Sequence, residues 1–227
     1  MIKLQGKLPR RLYIACSGGV DSMAVLDFLS RKHDVFVLYF NHGTEHGHRA
    51  MQFVEKYCNE KDIPWLTNIP DDNREKTPRE SQEEYWRNIR YDWLERCTER
   101  DVITGHHLDD CVETWVWSSM HGKGKIIPYR NKNVIRPFRS TRKRELKLWA
   151  NLRNVRHIED DTNTDLCYTR NYVRHEMMPN VLRVNPGIHK TIAKKVKQDV
   201  EQVNQGMSFS LQYFSTNCIA LLPCSVP

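Results

Sequence analysis

Ser17-Gly18-Gly19-Val20-Asp21-Ser22 is the stretch that decides the fold of this chain. An apolar run, Leu12 to Cys16, precedes it, and a helix-like stretch follows it. Because glycine has no Cβ, the backbone at Gly18 and Gly19 can adopt turn dihedrals closed to other residues, and its N–H groups can come close to an anion. The dipole of the following helix adds partial positive charge at the same point. The stretch therefore predicts a strand, a phosphate-binding turn and a helix, in that order.

The side chains of this loop add hydroxyl groups and a carboxylate. Ser17 and Ser22 supply hydroxyl donors, and Asp21 puts a carboxylate where phosphate alone would repel it. Such a carboxylate suggests a bound divalent cation or an amine. The spacing differs from the GxxxxGKS/T of the Walker loop and from the GxGxxG of dinucleotide-binding folds. It resembles the PP-loop of the ATP pyrophosphatases, which implies ATP binding and transfer of AMP instead of the γ-phosphoryl group.

Composition limits the class of protein. A chain of 227 residues suits one α/β domain with a small appendage. The net charge of +7 and a pI near 9.0 favour an anionic partner such as nucleic acid, although a charge of this size also occurs on proteins that bind none. The 7 cysteines are widely spaced and contain no CxxC pair, so neither a disulfide framework nor a zinc ribbon is expected. Without a signal peptide or membrane-spanning run in the sequence, we expect a cytoplasmic protein with no membrane partner.

Apolar runs alternate with segments of helical periodicity along most of the chain. We predict strands at Leu12 to Cys16, at Val35 to Phe40, from Pro64, at Val102 to Thr104 and near Ile135. This alternation is typical of a parallel sheet covered by helices on both faces. The predicted fold class is α/β, a Rossmann-like doubly wound parallel sheet with a small C-terminal helical region that is interrupted at residues 185–187.

The predicted helices lie between these strands. The first runs from about Ser22 to Lys32 and the second from Arg49 to Lys61. A third begins at Ser81 and carries a stripe that we expect to be buried, formed by Tyr85, Ile89, Trp93 and Cys97. A fourth begins near Asp109, which we expect to cap it, and ends by Gly122.

A second group of polar residues, Gly105-His106-His107-Leu108-Asp109-Asp110-Cys111-Val112-Glu113-Thr114, lies at a strand-to-helix junction. Asp110 and Glu113 are three residues apart, so both carboxylates point the same way on a helix. Three interpretations stay open for this pair. It is an acidic first turn stabilised by the helix dipole, a metal site, or a site for a substrate ammonium group.

Five further segments resemble motifs of the tRNA(Ile)-lysidine synthases, a family of PP-loop enzymes. They are 41–43 (NHG), 85–91 (ARxxRY), 105–114 (GHHxDDxxET), 159–163 (EDxxN) and 170–179 (RNxxRHELLP). Cys111 stands where the family usually has glutamine, and Asp161 where it often has proline. Family members commonly continue into further C-terminal domains, so we expect a short form that lacks them. We expect a PP-loop domain over 1–140, a helical tRNA-facing extension over 141–206 and a tail without an assigned role over 207–227.

The resemblance implies a reaction in two steps. AMP is transferred from ATP to the C2 oxygen of the wobble cytidine of a tRNA(Ile) with the anticodon CAU, and free L-lysine then attacks C2 through its ε-amine. Mg²⁺ is the implied metal, with Asp21 as its ligand. The implied catalytic residues are Asp21, Asp110 and Glu113.

The resemblance also implies three binding groups. ATP is expected at Ser17, Gly18, Gly19, Val20, Asp21, Ser22 and Asn41, and lysine at Asp110, Glu113 and Arg87. The tRNA is expected at His106, His107, Arg170, Asn171, Arg174 and His175. Structural alternatives stay open for several of these residues. Arg87 is equally expected to pair with the aspartates. The two histidines are also expected to form a hydrogen-bonding scaffold. The helix after Arg170 is also expected to be held by ion pairs to Glu159 and Asp160.

The sequence leaves two other functions open. A tRNA 2-thiolation enzyme would share the PP-loop, but such enzymes generally carry paired catalytic cysteines or CxxC motifs, which this sequence lacks. A catalytically inactive tRNA-binding module would not need Ser17, Asp21, Asp110 and Glu113, all of which are present. The sequence gives no information on the oligomeric state.

Overall fold

The computed structural model of the protein describes residues 1–68, 76–159 and 165–201. The strands of this part are β1 (Arg11–Ala15), β2 (Asp34–Tyr39), β3 (Trp65–Thr67), β4 (Val102–Thr104), β5 (Arg130–Asn131) and β6 (Val134–Ile135). Its helices are α1 (Val20–Ser30), α2 (Glu45–Glu60), α3 (Gln82–Cys97), α4 (Leu108–Met120), α5 (Lys143–Leu152), α6 (Thr169–Tyr172), α7 (Met178–Val184) and α8 (188–201). A π-helical turn, Val173–Met177, joins α6 to α7. The predicted tail over 207–227 lies outside the described residues.

The strands form one six-stranded sheet in the order β3-β2-β1-β4-β6-β5. All neighbouring pairs are parallel except β5 and β6, which are antiparallel. The predicted α/β fold class with a mostly parallel sheet is therefore confirmed. The edge strand β5 was not predicted, because Arg130 and Asn131 are polar and give no apolar run.

The sheet has a switch point between β1 and β4. From β1 the chain moves outward to β2 and β3, and it then returns to the other side of β1 to form β4. Ala15 and Thr104, at the carboxyl ends of β1 and β4, are paired in register. Crevices at such points are where open α/β sheets bind ligands. Both motifs singled out in the sequence therefore begin at the same edge of the sheet.

Helices cover both faces of the sheet. Leu12 and Ile14 of β1 pack into a core with α1, α2 and α5, whereas Tyr13 and Ala15 face the opposite side and pack with α3. Successive side chains of a strand point to opposite faces, which accounts for this division. Since each face is covered, the strands are apolar along most of their length.

Two predicted helices differ from the observed ones in detail. The second begins four residues earlier than expected, at Glu45, because the Thr44 hydroxyl accepts a hydrogen bond from the Gly47 N–H at 3.0 Å and caps it. In the third, Ile89 of the predicted stripe is buried, but Leu94 is the more deeply buried residue, at 1% exposure. The stripe is therefore shifted around the helix relative to the four-residue steps of the prediction.

The last described helix, α8, packs against α4 through Ile188, Ile192 and Val196. Near its end, Asp199 accepts a hydrogen bond from the Tyr129 N–H at 2.9 Å and pairs with Arg139 at 2.7 Å. The Arg139 side chain is fully buried, so this ion pair ties α8 to the sheet domain.

The predicted interruption at residues 185–187 is confirmed. Within the described ranges, no helix has the length and apolar character needed to cross a bilayer.

Candidate active site

The glycine loop (residues 17–22) forms the turn between β1 and α1. Gly18 has φ +83°, and a Cβ there would lie 3.1 Å from Ile158 Cγ2 and 3.3 Å from Val54 Cγ2. Glycine therefore removes both the strain of a left-handed backbone and a close contact. Gly19 is the N-cap of α1, and no side chain caps this helix. The N–H groups of its first turn are thus available to an anionic ligand.

The two serines of the glycine loop have different roles. Ser22 is buried, and its hydroxyl donates to the Gly19 carbonyl at 2.9 Å and accepts from the Ser17 N–H at 3.2 Å. Ser22 therefore holds the shape of the turn. Ser17 is exposed, with its hydroxyl 3.3 Å from that of Ser22. The exposed Ser17 is the hydroxyl that a ligand can reach.

Asp21 lies between His107 and Lys143. Its Oδ2 is 3.5 Å from His107 Nε2 and 3.6 Å from Lys143 Nζ. Burial opposes ionisation of Asp21, but the His107 hydrogen bond and the charges of His107 and Lys143 outweigh it and hold the pKa below its ordinary value. Lys143 begins α5 and was not singled out in the sequence, where it is one of many basic residues.

The second carboxylate oxygen of Asp21 is the atom that would bind the expected Mg²⁺. Oδ1 is buried and has no hydrogen-bond partner. An ionised oxygen of this kind fits a hard cation, which prefers oxygen ligands. No group of three or more His, Cys, Asp or Glu residues that could hold a metal occurs in the described part of the chain. An ion at Asp21 would therefore take its other ligands from substrate phosphates and water.

Helix α4 is capped by His107, so the prediction that Asp109 caps it was wrong. His107 Nδ1 accepts from the Asp110 N–H at 3.3 Å, and Asp110 Oδ2 accepts from the His107 N–H at 2.9 Å. This reciprocal capping box satisfies two backbone donors. His107 is only 2% exposed, and its Nε2 faces Asp21. Although burial opposes its charge, Asp110, Asp21 and Asp109 raise the pKa of His107.

Asp109 instead connects three helices. Its Oδ2 accepts from the Lys143 N–H at the start of α5, at 2.7 Å, and its Oδ1 lies 3.2 Å from His189 Nε2 at the start of α8. Burial opposes its ionisation, but the His189 and Lys143 hydrogen bonds hold the pKa of Asp109 well below its usual range. Asp109 thus keeps α4, α5 and α8 together at the carboxyl edge of the sheet.

The carboxylate pair (Asp110 and Glu113) is occupied by two arginines. Arg174 donates from Nε to Glu113 Oε1 and from Nη2 to Glu113 Oε2, both at 2.9 Å. The same Nη2 lies 3.4 Å from Asp110 Oδ1, and Arg170 Nη2 lies 3.0 Å from that oxygen. The side chains of Asp110 and Glu113 are 8% and 9% exposed. The carboxylate pair is therefore a largely buried ion-pair site, and its binding of a substrate ammonium group stays a prediction.

The side chains of the carboxylate pair and of its arginine partners stabilise one another's charged forms. Burial opposes ionisation of Asp110, but His107 and Arg170 hold its pKa well below the usual range. Burial likewise opposes the charge of Arg174, but its hydrogen bond to Glu113 and the charges of Glu113, Asp110 and Asp21 raise its pKa. Each buried charge is thus compensated by a neighbour.

The segment that supplies these arginines lies on α6 and the π-helical turn. One alternative from the sequence is that ion pairs to Glu159 and Asp160 hold this segment. Asp160 lies outside the described residues. The observed partners of Arg170 and Arg174 are Asp110 and Glu113. Asn171 is buried and donates to the Asp165 carbonyl at 2.9 Å. The tRNA contacts expected of Arg170, Asn171, Arg174 and His175 stay predictions.

A group of arginines surrounds Tyr91 on α3. The guanidinium carbons of Arg87, Arg90 and Arg136 lie 5.3, 5.6 and 5.8 Å from the centre of its ring. The described contact of Arg87 is thus with Tyr91, and its lysine-binding role stays a prediction. His106 Nδ1 lies 2.8 Å from the Thr104 hydroxyl. Burial, with Arg136 and Arg170, lowers the pKa of His106 well below its ordinary value despite Asp110, so its ring is neutral at pH 7.

The NHG motif follows β2. Asn41 is 2% exposed, its Oδ1 accepts from the Gly43 N–H at 2.9 Å, and its backbone exchanges two hydrogen bonds with the Asn68 amide. These bonds fix the turn, and the ATP contact expected of Asn41 stays a prediction. The His42 ring packs between Phe40 and Trp86, and burial and Arg90 lower its pKa to about 4. Sequence reasoning missed Asn68, for which no motif gave a signal.

The chain is similar in sequence to known proteins. The chain is 30% identical over 198 residues to the tRNA(Ile)-lysidine synthase of Thermotoga maritima, covering 81% of this chain and 48% of that protein. It is 29% identical over 218 residues to the tRNA(Ile)-lysidine synthase of Bdellovibrio bacteriovorus, covering 89% and 67%. This chain thus spans about half the length of the Thermotoga relative.

Two further comparisons concern the fold and the family. The U34-tRNA thiolase NcsA from Methanococcus maripaludis superimposes with a TM-score of 0.67 at 17% identity, over 87% of this chain and 73% of that one. This likeness shows a shared fold. The family model described as a PP-loop domain matches residues 2–181, most of the chain and both motifs at the sheet edge. With its uncapped glycine loop at the switch point of a mostly parallel sheet, the chain belongs to the PP-loop domain family.

Proposed function

We propose that this protein joins free L-lysine to C2 of the wobble cytidine in a tRNA(Ile) with the anticodon CAU, with cleavage of ATP to AMP and pyrophosphate. One observation carries the proposal. At a single edge of the sheet, an uncapped glycine loop adjoins a buried carboxylate pair that holds cations. The similarity to relatives named tRNA(Ile)-lysidine synthase supports the same reaction.

The first step activates a poor leaving group. The C2 oxygen of the cytidine attacks the α-phosphorus of ATP, a C2–O–P bond forms, and the bond to pyrophosphate breaks. The N–H groups at the start of α1 and the ammonium group of Lys143 supply positive charge for the departing phosphates. Mg²⁺, when bound, adds to this charge, and Asp21 would hold it through the unpaired Oδ1.

The second step replaces oxygen by nitrogen at C2. The neutral ε-amine of lysine attacks C2, the C2–O bond breaks, and AMP leaves with the former carbonyl oxygen. Asp110 is suited to holding positive charge, because a carboxylate whose pKa is held low is a weak base. Glu113, on the same face of α4, is our proposed acceptor of the proton that the amine gives up.

The cysteines support the thiolation alternative less well than the carboxylate pair supports the proposed reaction. Cys16, Cys58 and Cys111 are buried, and burial raises the pKa of each, to about 12 for Cys58 and Cys111. Cysteine reacts as the thiolate, so these three thiols are poor nucleophiles. Cys167 is exposed, and its hydrogen bond with the Asp165 side chain raises the pKa of its thiol. A 2-thiolation enzyme would need a more reactive thiol near the glycine loop.

The test is incorporation of lysine into RNA. The protein is incubated with ATP, labelled L-lysine and a tRNA(Ile) transcript with the anticodon CAU, and the RNA is then treated under conditions that hydrolyse aminoacyl esters. Label that stays in the RNA, with equal amounts of AMP and pyrophosphate, is the expected result. A transcript whose wobble cytidine is replaced by uridine is the matched control and should take up no label.

Three outcomes would contradict the proposal. ADP in place of AMP would show cleavage at the wrong phosphorus atom. RNA that acquires sulfur from a sulfur donor would identify the thiolation alternative. Binding of the tRNA with neither label nor AMP would identify a binding module.

A further inference from the structure

Arg174 occupies the place that the proposed function gives to the lysine amine. Its guanidinium makes two hydrogen bonds of 2.9 Å to Glu113 and approaches Asp110 at 3.4 Å. A bidentate guanidinium–carboxylate pair is one of the stronger contacts between side chains. An incoming ammonium group therefore meets a site that is already filled.

Charge balance explains why the ammonium cannot simply be added. The carboxylate pair carries two negative charges, and Arg170 and Arg174 match them with two positive charges. A third cation in this largely buried place would be uncompensated, which is costly at low dielectric. Lysine can enter when a positive charge leaves the pair or when negative charge arrives beside it.

The backbone at Arg174 permits such a change. Arg174 lies in the π-helical turn Val173–Met177, between α6 and α7. A π-helical turn holds one more residue than an α-helical turn, and it is common at functional sites. A change of this turn to α-helical geometry would rotate Arg174 relative to α4.

We propose that Arg174 sets the order of substrate binding at the amine site. In the free protein, Arg174 and Arg170 neutralise the carboxylate pair and exclude the lysine ammonium. An RNA phosphate placed beside them draws their guanidinium groups away, and the freed carboxylates then bind the amine. This inference rests on the proposed function and adds to it that RNA binding opens the lysine site.

The exposures of the two arginines fit this exchange. The Arg170 side chain is 40% exposed and that of Arg174 is 22% exposed, whereas both carboxylates are below 10%. An RNA phosphate can therefore reach the arginines from solvent without entering the carboxylate pair. Arginine suits such an exchange, because its guanidinium binds carboxylate and phosphate in the same bidentate geometry.

The test measures binding of labelled L-lysine by equilibrium dialysis, with the full chain and an ATP analogue that cannot be cleaved between its α and β phosphorus atoms. Dialysis is carried out with and without an anticodon stem–loop RNA bearing CAU. In the wild-type protein, RNA should tighten lysine binding by about tenfold or more, within the usual range of coupling between sites. By linkage, lysine should tighten RNA binding by the same factor.

The informative variant is Arg174→Gln. Without RNA, it should bind lysine about tenfold more tightly than the wild-type protein, and adding RNA should bring little further gain. Arg183→Gln is the matched control, because Arg183 is an exposed arginine of α7. It should keep the wild-type dependence on RNA. Arg174→Lys, which keeps the charge but loses the bidentate geometry, should show an intermediate dependence and serves if Arg174→Gln does not fold.

The outcomes separate this inference from the proposed function. Equal lysine affinity with and without RNA, in the wild-type protein and in Arg174→Gln, would overturn the exchange and leave the proposed function standing. Weaker lysine binding by Arg174→Gln in the absence of RNA would also overturn it, since Arg174 would then support the site instead of filling it. No lysine binding by any variant under any condition would overturn the proposed function together with the exchange.

Discussion

The glycine loop and the carboxylate pair lie at the same edge of the sheet but are built in different ways. Six consecutive residues and the start of α1 form the glycine loop, which remains open to an anion. The carboxylate pair depends on residues about 60 positions away along the chain, and they fill it. An open site is ready for its ligand, whereas a filled site binds only after an exchange.

This difference shows which part of the site responds to a second substrate. The glycine loop contains one charged side chain, Asp21, and apart from the Ser17 hydroxyl its donors are backbone N–H groups with a fixed direction. In the carboxylate pair, all bonds to Arg170 and Arg174 are between side-chain groups. Nucleotide binding should therefore be nearly independent of RNA, and amine binding should depend on it.

The largest effect is expected for Asp21→Asn. Loss of the charge that faces Lys143 and of the unpaired oxygen should reduce RNA-dependent pyrophosphate release by about 100-fold or more, while RNA binding stays close to wild type. Asp34→Asn, at an exposed aspartate of β2, is the control and should release pyrophosphate normally. Normal release by Asp21→Asn would remove Asp21 from the mechanism.

The shape of the glycine loop is tested by Gly18→Ala. A left-handed φ and Cβ contacts of 3.1 and 3.3 Å should lower the free energy of unfolding by about 2–3 kcal/mol, measured by urea denaturation. Gly19→Ala, where the nearest atom to a Cβ would be 3.7 Å away and φ is −72°, should change it by under about 1 kcal/mol. Equal effects of the two changes would show that the turn is not strained at Gly18.

A smaller loss of stability is expected for Glu113→Gln. The amide keeps one acceptor but loses the charge that Arg174 faces, so the free energy of unfolding should fall by about 1–2 kcal/mol. Glu95→Gln removes a carboxylate from an exposed ion pair with Lys132 and should have little effect. If the two variants lose equal stability, the buried carboxylate pair is no stronger than a surface contact.

The smallest effect is the pH dependence that Asp110 contributes. Its pKa is lower in the folded protein than in the unfolded chain, so its contribution is present above a pH of about 4 and is lost as the pH falls through the folded-state value. The difference in unfolding free energy between the wild-type protein and Asp110→Asn should thus narrow by about 1 kcal/mol on acidification. Urea denaturation of both proteins at a series of pH values measures this difference. A difference that does not change with pH would contradict the lowered pKa of Asp110.

The sequence predicted what is encoded locally. The glycine loop, the helix that follows it and the parallel strands are each encoded by contiguous residues, so their patterns are visible without the fold. The approach of Lys143 to Asp21 was not predictable, because 122 residues separate them and many lysines are present. Ion pairs of Arg170 and Arg174 with α4 were missed for the same reason.

Errors in the prediction also have local causes. Asp109 was expected to cap α4, because aspartate is a common N-cap and histidine is not. His107 caps the helix through Nδ1, while its Nε2 faces Asp21 and its N–H donates to Asp110, and these contacts form only in the folded chain. Edge strand β5 is two polar residues long and is defined only by its pairing with β6.

The ion pair between Arg139 and Asp199 determines how short a working fragment can be. The family match ends at residue 181, which would suggest a convenient point of truncation. Cutting there would remove Asp199, the carboxylate partner of Arg139, together with the contacts of Ile188, Ile192 and Val196 with α4. A fragment made for crystallisation or kinetic work should therefore extend through α8.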